Sequence, residues 1–329
     1  MLTPMAARIV TIGNFDGVHV GHAALLARAR SEADALGGGQ VVAMAFDPHP
    51  ASVLRPGREP ARLTSFERRA ELLRDLGADE VVRLEPTRAL LENDPEAFIR
   101  WLMERSPPTA VVEGDDFRFG RGRAGDSATL QALGQRFGFD VHIVEPVEVA
   151  LTDQTIVRAS STATRWLIAH GRVRDAAVML GRWYELKGVV VQGDRRGREL
   201  GFPTANIKTG QLLPADGVYA GEAELDDGSV YVAAVSVGTK PMFGGHERTL
   251  EAHLLDAPQT PDGRIEGLDE YGWVVRVRLM GWVRDQTKFG SVAELVSQIG
   301  RDCERAARIV ESCGGREAIA GWAMEGASR

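Results

Sequence analysis

The chain has 329 residues, 44% of them hydrophobic, which is enough for two domains with separate cores. A formal charge of −7 leaves no basic footprint for general nucleic-acid binding, and no apolar run is long enough for a membrane-spanning helix. Cys303 and Cys313 are too few for a disulfide framework, and "MLTPMAARIV" lacks the apolar core of a signal peptide, so a cytoplasmic protein is expected.

The first half alternates. "RIVTIG" (8–13) reads as a strand and "HAALLARARSEADAL" (22–36) as a helix. "QVVAMAF" (40–46) is a strand that stops at "DPHP", and "SFERRAELLRDLG" (65–77) is a helix capped by Ser65. The strand "DEVVRL" (79–84), the helix "DPEAFIRWLMER" (94–105) and the strand "TAVVEG" (109–114) follow. "DSATLQALGQRFG" (126–138) is a helix ending at Gly138, and "FDVHIVEP" (139–146) is a strand. Nearly all-apolar strands separated by helices predict a parallel sheet covered on both faces. Two shorter helices, "STATRWLIAHG" and "VRDAAVMLG", lead to Gly181.

Beyond Gly181 the pattern changes. "WYELKGVVVQG", "GVYAGEAEL", "VYVAAVSVG", "RTLEAHLLD" and "WVVRVRLMGWV" are strand-like runs parted by Gly, Pro and Asp turns. They predict a small antiparallel β-barrel, closed by a long amphipathic helix that starts at the Ser291 cap. The expected fold class is therefore α/β plus all-β, with domains at 1–180 and 181–329.

Three polar constellations fall at the carboxyl ends of first-half strands, where open α/β sheets bind ligands. In "TIGNFDGVHVGH" (11–22), Gly13 and Gly17 allow tight turns and Gly21 allows close approach of a phosphate. Asn14 and Asp16 belong to the same stretch. His19 and His22 lie at a helix start, where free N–H groups and the helix dipole favour anions. The stretch has neither the dinucleotide Gly-x-Gly-x-x-Gly spacing nor the Gly-Lys-Ser/Thr of a P-loop. Asp47 and His49, stiffened by prolines, follow the second strand, and "EGDDFRFGRGRAGD" (113–126) follows a later one. One rim would gather all three.

Together with "SSTATR" (160–165), the stretches "GNFDGVHVGH", "FDPHP" and "GDDFRFGRGRAGD" resemble the adenylyltransferase module of bacterial bifunctional riboflavin kinase/FAD synthetases. The resemblance implies a Rossmann-like nucleotidylyltransferase in which His19 and His22 hold the ATP phosphates. It implies that Ser160, Ser161, Thr162 and Arg165 clamp them from the other side, and that Asp116 contacts the nucleotide or the flavin. Gly13, Asn14, Asp16, Asp47 and His49 are counted with that site. Where the family commonly has apolar residues, this chain has Ala159 and Thr164, which bear on packing beneath the loop.

In the second half the informative stretch is "GDRRGRELGFPTANI" (193–207), with Gly193, Gly197 and Gly201 ahead of Thr204 and Asn206. Phosphoryl transfer needs backbone N–H groups and a few polar side chains around a metal-bound triphosphate. Thr204 and Asn206, two apart in an extended segment, point to one side, where their neutral oxygens could serve Mg²⁺ with ATP. This stretch, with "LGRWYELKG", "DGVYAGEA", "VGTKPMFGG", "RTLEAHLLD" and "EYG", resembles the riboflavin kinase domain of the same family. The match carries Glu251 over as the carboxylate that orients or deprotonates the riboflavin 5′-hydroxyl. Departures stand at Trp183, at Ser236-Val237-Gly238 and at Met242, where a hydroxyl is lost.

The resemblance implies two reactions: riboflavin and ATP give FMN and ADP in the second domain, and FMN and a second ATP give FAD and pyrophosphate in the first. Riboflavin, FMN and ATP are the expected partners, with Mg²⁺; no nucleic acid or membrane is expected, and a homo-oligomer is left open. Two alternatives stand beside this reading: one live domain with the other lapsed, or a non-catalytic flavin sensor.

Overall fold

The computed structural model describes residues 7–193, 195–239, 248–261 and 263–314. They form two compact units. One runs to Glu148 and takes in Val157–Ser161; the other holds Val149–Ile156 and the chain from Thr162 onward.

The first unit is built on five parallel strands, β1 (Arg8–Gly13), β2 (Gln40–Phe46), β3 (Glu80–Leu84), β4 (Ala110–Gly114) and β5 (Asp140–Val144), in the order β3-β2-β1-β4-β5. Its helices are α1 (Val20–Ala35), α2 (Ala51–Leu54), α3 (Phe66–Asp75), α4 (Arg88–Leu91), α5 (Pro95–Arg105) and α6 (Ser127–Phe137). Alternation along the strands sends side chains to opposite faces. Ile9, Val41, Ala43 and Val112 pack with Leu26 and Ala29 of α1 and Leu73 of α3. Val10, Ile12, Val42 and Val111 pack with Phe98 and Leu102 of α5 and Leu130 of α6. Both faces are covered, which is why the strands read as unbroken apolar runs. Ser65 caps α3 by accepting the Arg68 N–H at 3.2 Å, and Gly138 ends α6 in the left-handed region at φ 82°. Strand order reverses between β1 and β4, so the ligand crevice of such a sheet opens there.

A two-stranded ribbon, β6 (Glu148–Ala150) and β7 (Ile156–Arg158), precedes α7 (Ser161–Ala169) and α8 (Val173–Leu180). The barrel follows: β8 (Tyr184–Val191), the single turn α9 (Arg196–Glu199), β9 (Ala205–Lys208), β10 (Gly217–Leu225), β11 (Val230–Gly238), β12 (Thr249–Leu254) and β13 (Val274–Arg284). It closes in the order β10-β11-β12-β9-β8-β13. Helix α10 (Val292–Ser312) starts at Ser291, whose hydroxyl accepts the Glu294 N–H at 3.2 Å. It lays Ala306 and Val310 on Val218, Ala220 and Met280 of the barrel wall, where Trp183 also packs. Asp302 of α10 is buried and receives three hydrogen bonds of 2.7–3.0 Å from Arg284, fixing the helix to the end of β13.

Two features differ from the sequence reading. The last three residues of the stretch read as merely extended form, with Lys208, strand β9 of the barrel, because β8 and β12 pair with it on either side. Helices α7 and α8, placed ahead of the 181 boundary, pack in the barrel's unit: Ala215 donates its N–H to the Ile168 carbonyl at 3.2 Å, and a side chain at Gly171 would collide with Trp282. Cys303 and Cys313 are free thiols; burial, helped by Asp302, pushes Cys303 up to about 11, so it is an un-ionised thiol at neutral pH. Asp194 and residues 240–247, with the departure at Met242, lie outside the described residues.

Candidate active sites

The first site forms where β1 turns into α1. Between Gly13 and His19 the backbone is left-handed at Phe15 (φ 49°), Gly17 (φ 85°) and Val18 (φ 44°). Only glycine adopts such angles freely, and a β-branched residue there is strained, which is commonest at functional turns. Asp16 holds the turn from beneath. Its buried carboxylate accepts the N–H groups of Leu63 and Thr64 at 3.0–3.1 Å and the Thr64 hydroxyl at 3.1 Å; the Gly17 N–H donates to that same hydroxyl oxygen. Asp16, expected among the nucleotide contacts, holds these groups of its own chain.

His19 is buried at the N-terminus of α1, and its ring stacks on His22 with centroids 3.7 Å apart. The His19 N–H donates to Nδ1 of His22 at 3.2 Å. That makes Nδ1 of His22 an acceptor and leaves a neutral ring with its proton on Nε2. The His19 ring lies 3.0 Å from where a Cβ at Gly21 would stand. Ser161 donates its hydroxyl proton to the Asp16 carbonyl at 2.7 Å, which joins the "SSTATR" segment to this turn. Ser160 is half-buried beside it in the same unit; Thr162 and Arg165 belong to the second unit. Of the departures, Ala159 and Thr164 are both buried.

Arg69 ties neighbouring strand ends together. Its guanidinium donates to the carbonyls of Asn14 (2.6 Å) and Phe46 (2.8 Å) and to Asp47 (3.1 Å). Burial lowers its pKa, and the charges of Asp16 and Asp47 oppose that pull. Asp47 is therefore ion-paired, with Arg83 at 3.5 Å as well, and His49 accepts the Ala51 N–H at the start of α2. Asp116 is exposed on the turn after β4, 3.5 Å from Arg158, which pairs mainly with Asp115. Glu113, buried at the end of β4, accepts the Ile12 N–H at 2.6 Å.

The second site is the mouth of the barrel. Asn206 of β9, Glu251 of β12 and Ser236 of β11 stand opposite one another across three adjacent strands. Glu251 accepts the Thr204 hydroxyl at 3.3 Å and the Thr249 hydroxyl at 3.1 Å. Arg248 is engaged by Asp216 at 2.7 Å, and Arg276 lies 3.9 Å from Glu185. Gln286 donates to the Ser236 hydroxyl at 3.0 Å, so that departure from the family pattern is built into the mouth.

Two cavities meet here. One, of about 220 Å³, has an apolar side of Leu200, Phe202, Val218, Ala234, Phe289 and Leu295. The other, of about 60 Å³, is lined by Arg195, Arg198 and Arg264 with Glu270 and Tyr271. Arg195, Gly197, Thr204 and Asn206 line both. Among the described residues no group of three or more His, Cys, Asp or Glu side chains could hold a metal ion. Two neutral oxygen donors beside one carboxylate instead suit a cation that arrives with phosphate ligands.

Gly193 and Gly197 are close-approach glycines. A Cβ at Gly193 would overlap the Asn206 amide, and one at Gly197 would overlap the Phe202 carbonyl. For the riboflavin phosphorylation that the resemblance implies, Gly193→Ala should therefore displace Asn206, raise KM for ATP and slow turnover by about 10²-fold, the scale of a 1 Å misplacement. FAD formation from supplied FMN should be unchanged. Initial rates of both reactions check this, and an unaltered kinase would detach Asn206 from the site. Arg69, Thr64, Glu113, Thr249 and Gln286 had no signal in the sequence, since each meets its partner only through the fold.

A parallel sheet with an anion-suited strand–helix turn, followed by a closed barrel with a Thr, Asn and Glu wall, defines a two-module nucleotide-dependent transferase. The family model for FAD synthetase matches residues 4–161, and that for riboflavin kinase matches residues 180–310. The chain is 35% identical over 305 residues to the bifunctional riboflavin kinase/FMN adenylyltransferase of Escherichia coli K12, covering 91% of each chain. To the protein of the same name from Bacillus subtilis 168 it is 32% identical over 310 residues, covering 92% of each. A crystal structure described as a macrolide-efflux protein from Streptococcus pneumoniae is similar at a TM-score of 0.77 and 30% identity, over 93% of this chain and 95% of that one. Among the described residues, no helix of this chain is long and apolar enough to cross a membrane. The chain belongs to the family of bifunctional riboflavin kinase/FMN adenylyltransferases.

Proposed function

We infer that this chain makes FAD from riboflavin in two ATP-dependent steps, with the barrel as riboflavin kinase and the parallel-sheet unit as FMN adenylyltransferase. The observation that carries the kinase assignment is the shared wall of Thr204 and Asn206 between an apolar cavity and an arginine-lined one, with Glu251 bonded to Thr204. The apolar cavity suits an isoalloxazine ring and the arginine-lined one a triphosphate. Glu251 accepts the proton of the riboflavin 5′-hydroxyl as that oxygen attacks the γ-phosphorus; ADP leaves, and the proton passes to solvent. Thr204 and Asn206 would hold Mg²⁺ with the phosphates, where it supplies charge neutralisation.

In the first unit an oxygen of the FMN phosphate attacks the α-phosphorus of ATP, and pyrophosphate leaves. The nucleophile is already ionised, so the step needs alignment and charge stabilisation more than a base. His22 donates from Nε2, and His19 and the first turn of α1 complete the anion site. Ser160 and Ser161 act as the phosphate clamp, Asp116 reaches a substrate from the β4 turn, and Asp16 and Asp47 shape the turns from below. The domain division is 1–180 and 181–329 by activity, with α7 and α8 as structural support for the barrel. Free thiols and a cofactor-supplying role fit a cytoplasmic enzyme.

Incubation of the purified protein with riboflavin, ATP and Mg²⁺, with flavins resolved by chromatography, tests the reading. FMN should appear first and give way to FAD. FMN alone would mean a lapsed adenylyltransferase, and no turnover would mean a flavin-binding sensor.

A further inference from the structure

Strands β1 and β4 part early. β1 pairs with β2 along its whole length, Arg8↔Gln40 to Gly13↔Ala45, and β4 with β5 from Ala110↔Asp140 to Gly114↔Val144. Between β1 and β4 the register holds only Ile9↔Ala110 and Val10↔Val111. Beyond that point the Ile12 N–H is satisfied by a side chain: Oε1 of Glu113 accepts it at 2.6 Å. Glu113 is 3% exposed, an expensive place for a carboxyl where an apolar residue would fill the space. One residue past Ile12 the chain enters the Gly13–Asn14 turn, whose Asn14 carbonyl is held from the β2 side by Arg69. The turn is thus anchored on both flanks, by Arg69 and by Glu113.

We propose that Glu113 is a positioning residue for nucleotide binding in the first unit: its carboxyl replaces the β1–β4 ladder at Ile12 and fixes the turn that carries the phosphate-binding histidines. This rests on the assignment of the ATP site to that turn. Burial pushes the Glu113 carboxyl well above the usual carboxylate range; the Ile12 N–H pulls it back, Asp116 pushes it further up, and the Thr11 hydroxyl again pulls it down. The charged group acting on it is Asp116, from the turn after β4. β1 contributes the Ile12 amide and the Thr11 hydroxyl, and β5 places Ile143 beside it. In the neutral form the carboxyl adds no negative charge beneath the triphosphate. Ionised, it places a buried anion under a site that must take up phosphates.

The sign follows. Glu113 has a folded-state pKa above its unfolded value, so its contribution to stability is complete below the unfolded pKa and declines as pH rises toward the folded one. ATP, itself an anion, favours the protonated form, so its affinity falls as pH rises above the folded-state pKa of Glu113. KM for ATP in FAD formation from supplied FMN should rise with pH in the wild type, by up to about tenfold per pH unit above the Glu113 pKa. Glu113→Gln keeps an acceptor for Ile12 and cannot ionise, so its KM should lose that rise. Glu113→Ala, with no acceptor, should raise KM at every pH.

FMN formation by the same protein serves as the internal control, and His22→Ala is run in parallel. A Glu113→Gln profile that follows the wild type overturns the proposal. Unchanged FAD synthesis in His22→Ala overturns the site assignment instead. Should the Glu113 variants fold poorly, thermal unfolding of the wild type and of His22→Ala with and without ATP decides: the part of the stabilisation by ATP that His22→Ala loses must shrink as pH rises, and a constant difference rejects the role of Glu113.

Discussion

His22→Ala and His19→Ala should each lower FAD formation from supplied FMN by about 10²–10³-fold, the usual effect of removing one preorganised donor to a developing charge. FMN formation from riboflavin by the same protein should be unchanged, because the kinase residues lie in another compact unit. The two rings are not independent. They stack at 3.7 Å, and His22 accepts the His19 N–H, so each orients the other. The double variant should therefore lose less than the product of the two single losses, as contacting residues that work as a unit do. Initial rates with FMN, ATP and Mg²⁺ for the three variants measure this. Wild-type FAD synthesis in both single variants would reduce the pair to a cap on α1.

The second large effect is expected at Glu251. Glu251→Gln should lower kinase turnover by about 10²–10⁴-fold, the range of a general base, while binding of ATP with Mg²⁺ survives. Thr204→Ala and Asn206→Ala should weaken that binding as well as the rate, since both side chains face the two cavities at once. Calorimetric titration with ATP–Mg²⁺ beside initial rates separates the roles. If Glu251→Gln abolishes nucleotide binding and Thr204→Ala leaves it intact, the roles are reversed. A fully active Glu251→Gln would make this carboxylate an ordinary strand residue bound to two threonines.

Much of the fold was legible because its determinants are local. "QVVAMAF" is a strand buried on both faces, and Gln40–Phe46 is the span it occupies. Ser65, Ser291 and Gly138 mark helix ends by their own chemistry. Strand β9 was not legible as such: "ANIK" has no pattern of its own and becomes a strand by pairing with β8 and β12. Nor was the division of the chain near α7, because nothing in "STATRWLIAHG" says which core it will join. The sites divide in the same way. His19 with His22, and Thr204 with Asn206, are pairs within a few residues, so spacing exposes them. Asp16 meets its partners 47 and 48 positions away, and Glu113 meets Ile12 at a separation of 101. No single-chain pattern carries such pairings.

The shortness of β9 has a consequence for how the barrel opens. β10 and β11 are stitched by eight register pairs, whereas β9 is joined to β12 by two and to β8 by three. The cylinder is therefore closed at its thinnest seam by the segment that holds Thr204 and Asn206. Local opening starts where few backbone bonds resist it. Amide protons of β9 should exchange with solvent well before those of β10, and substrates that fill the two adjoining cavities should slow that exchange selectively. On the proposed kinase assignment the ligands should act as the missing stitches: the empty barrel should open first at the wall of Thr204 and Asn206, and the loaded one should stay closed.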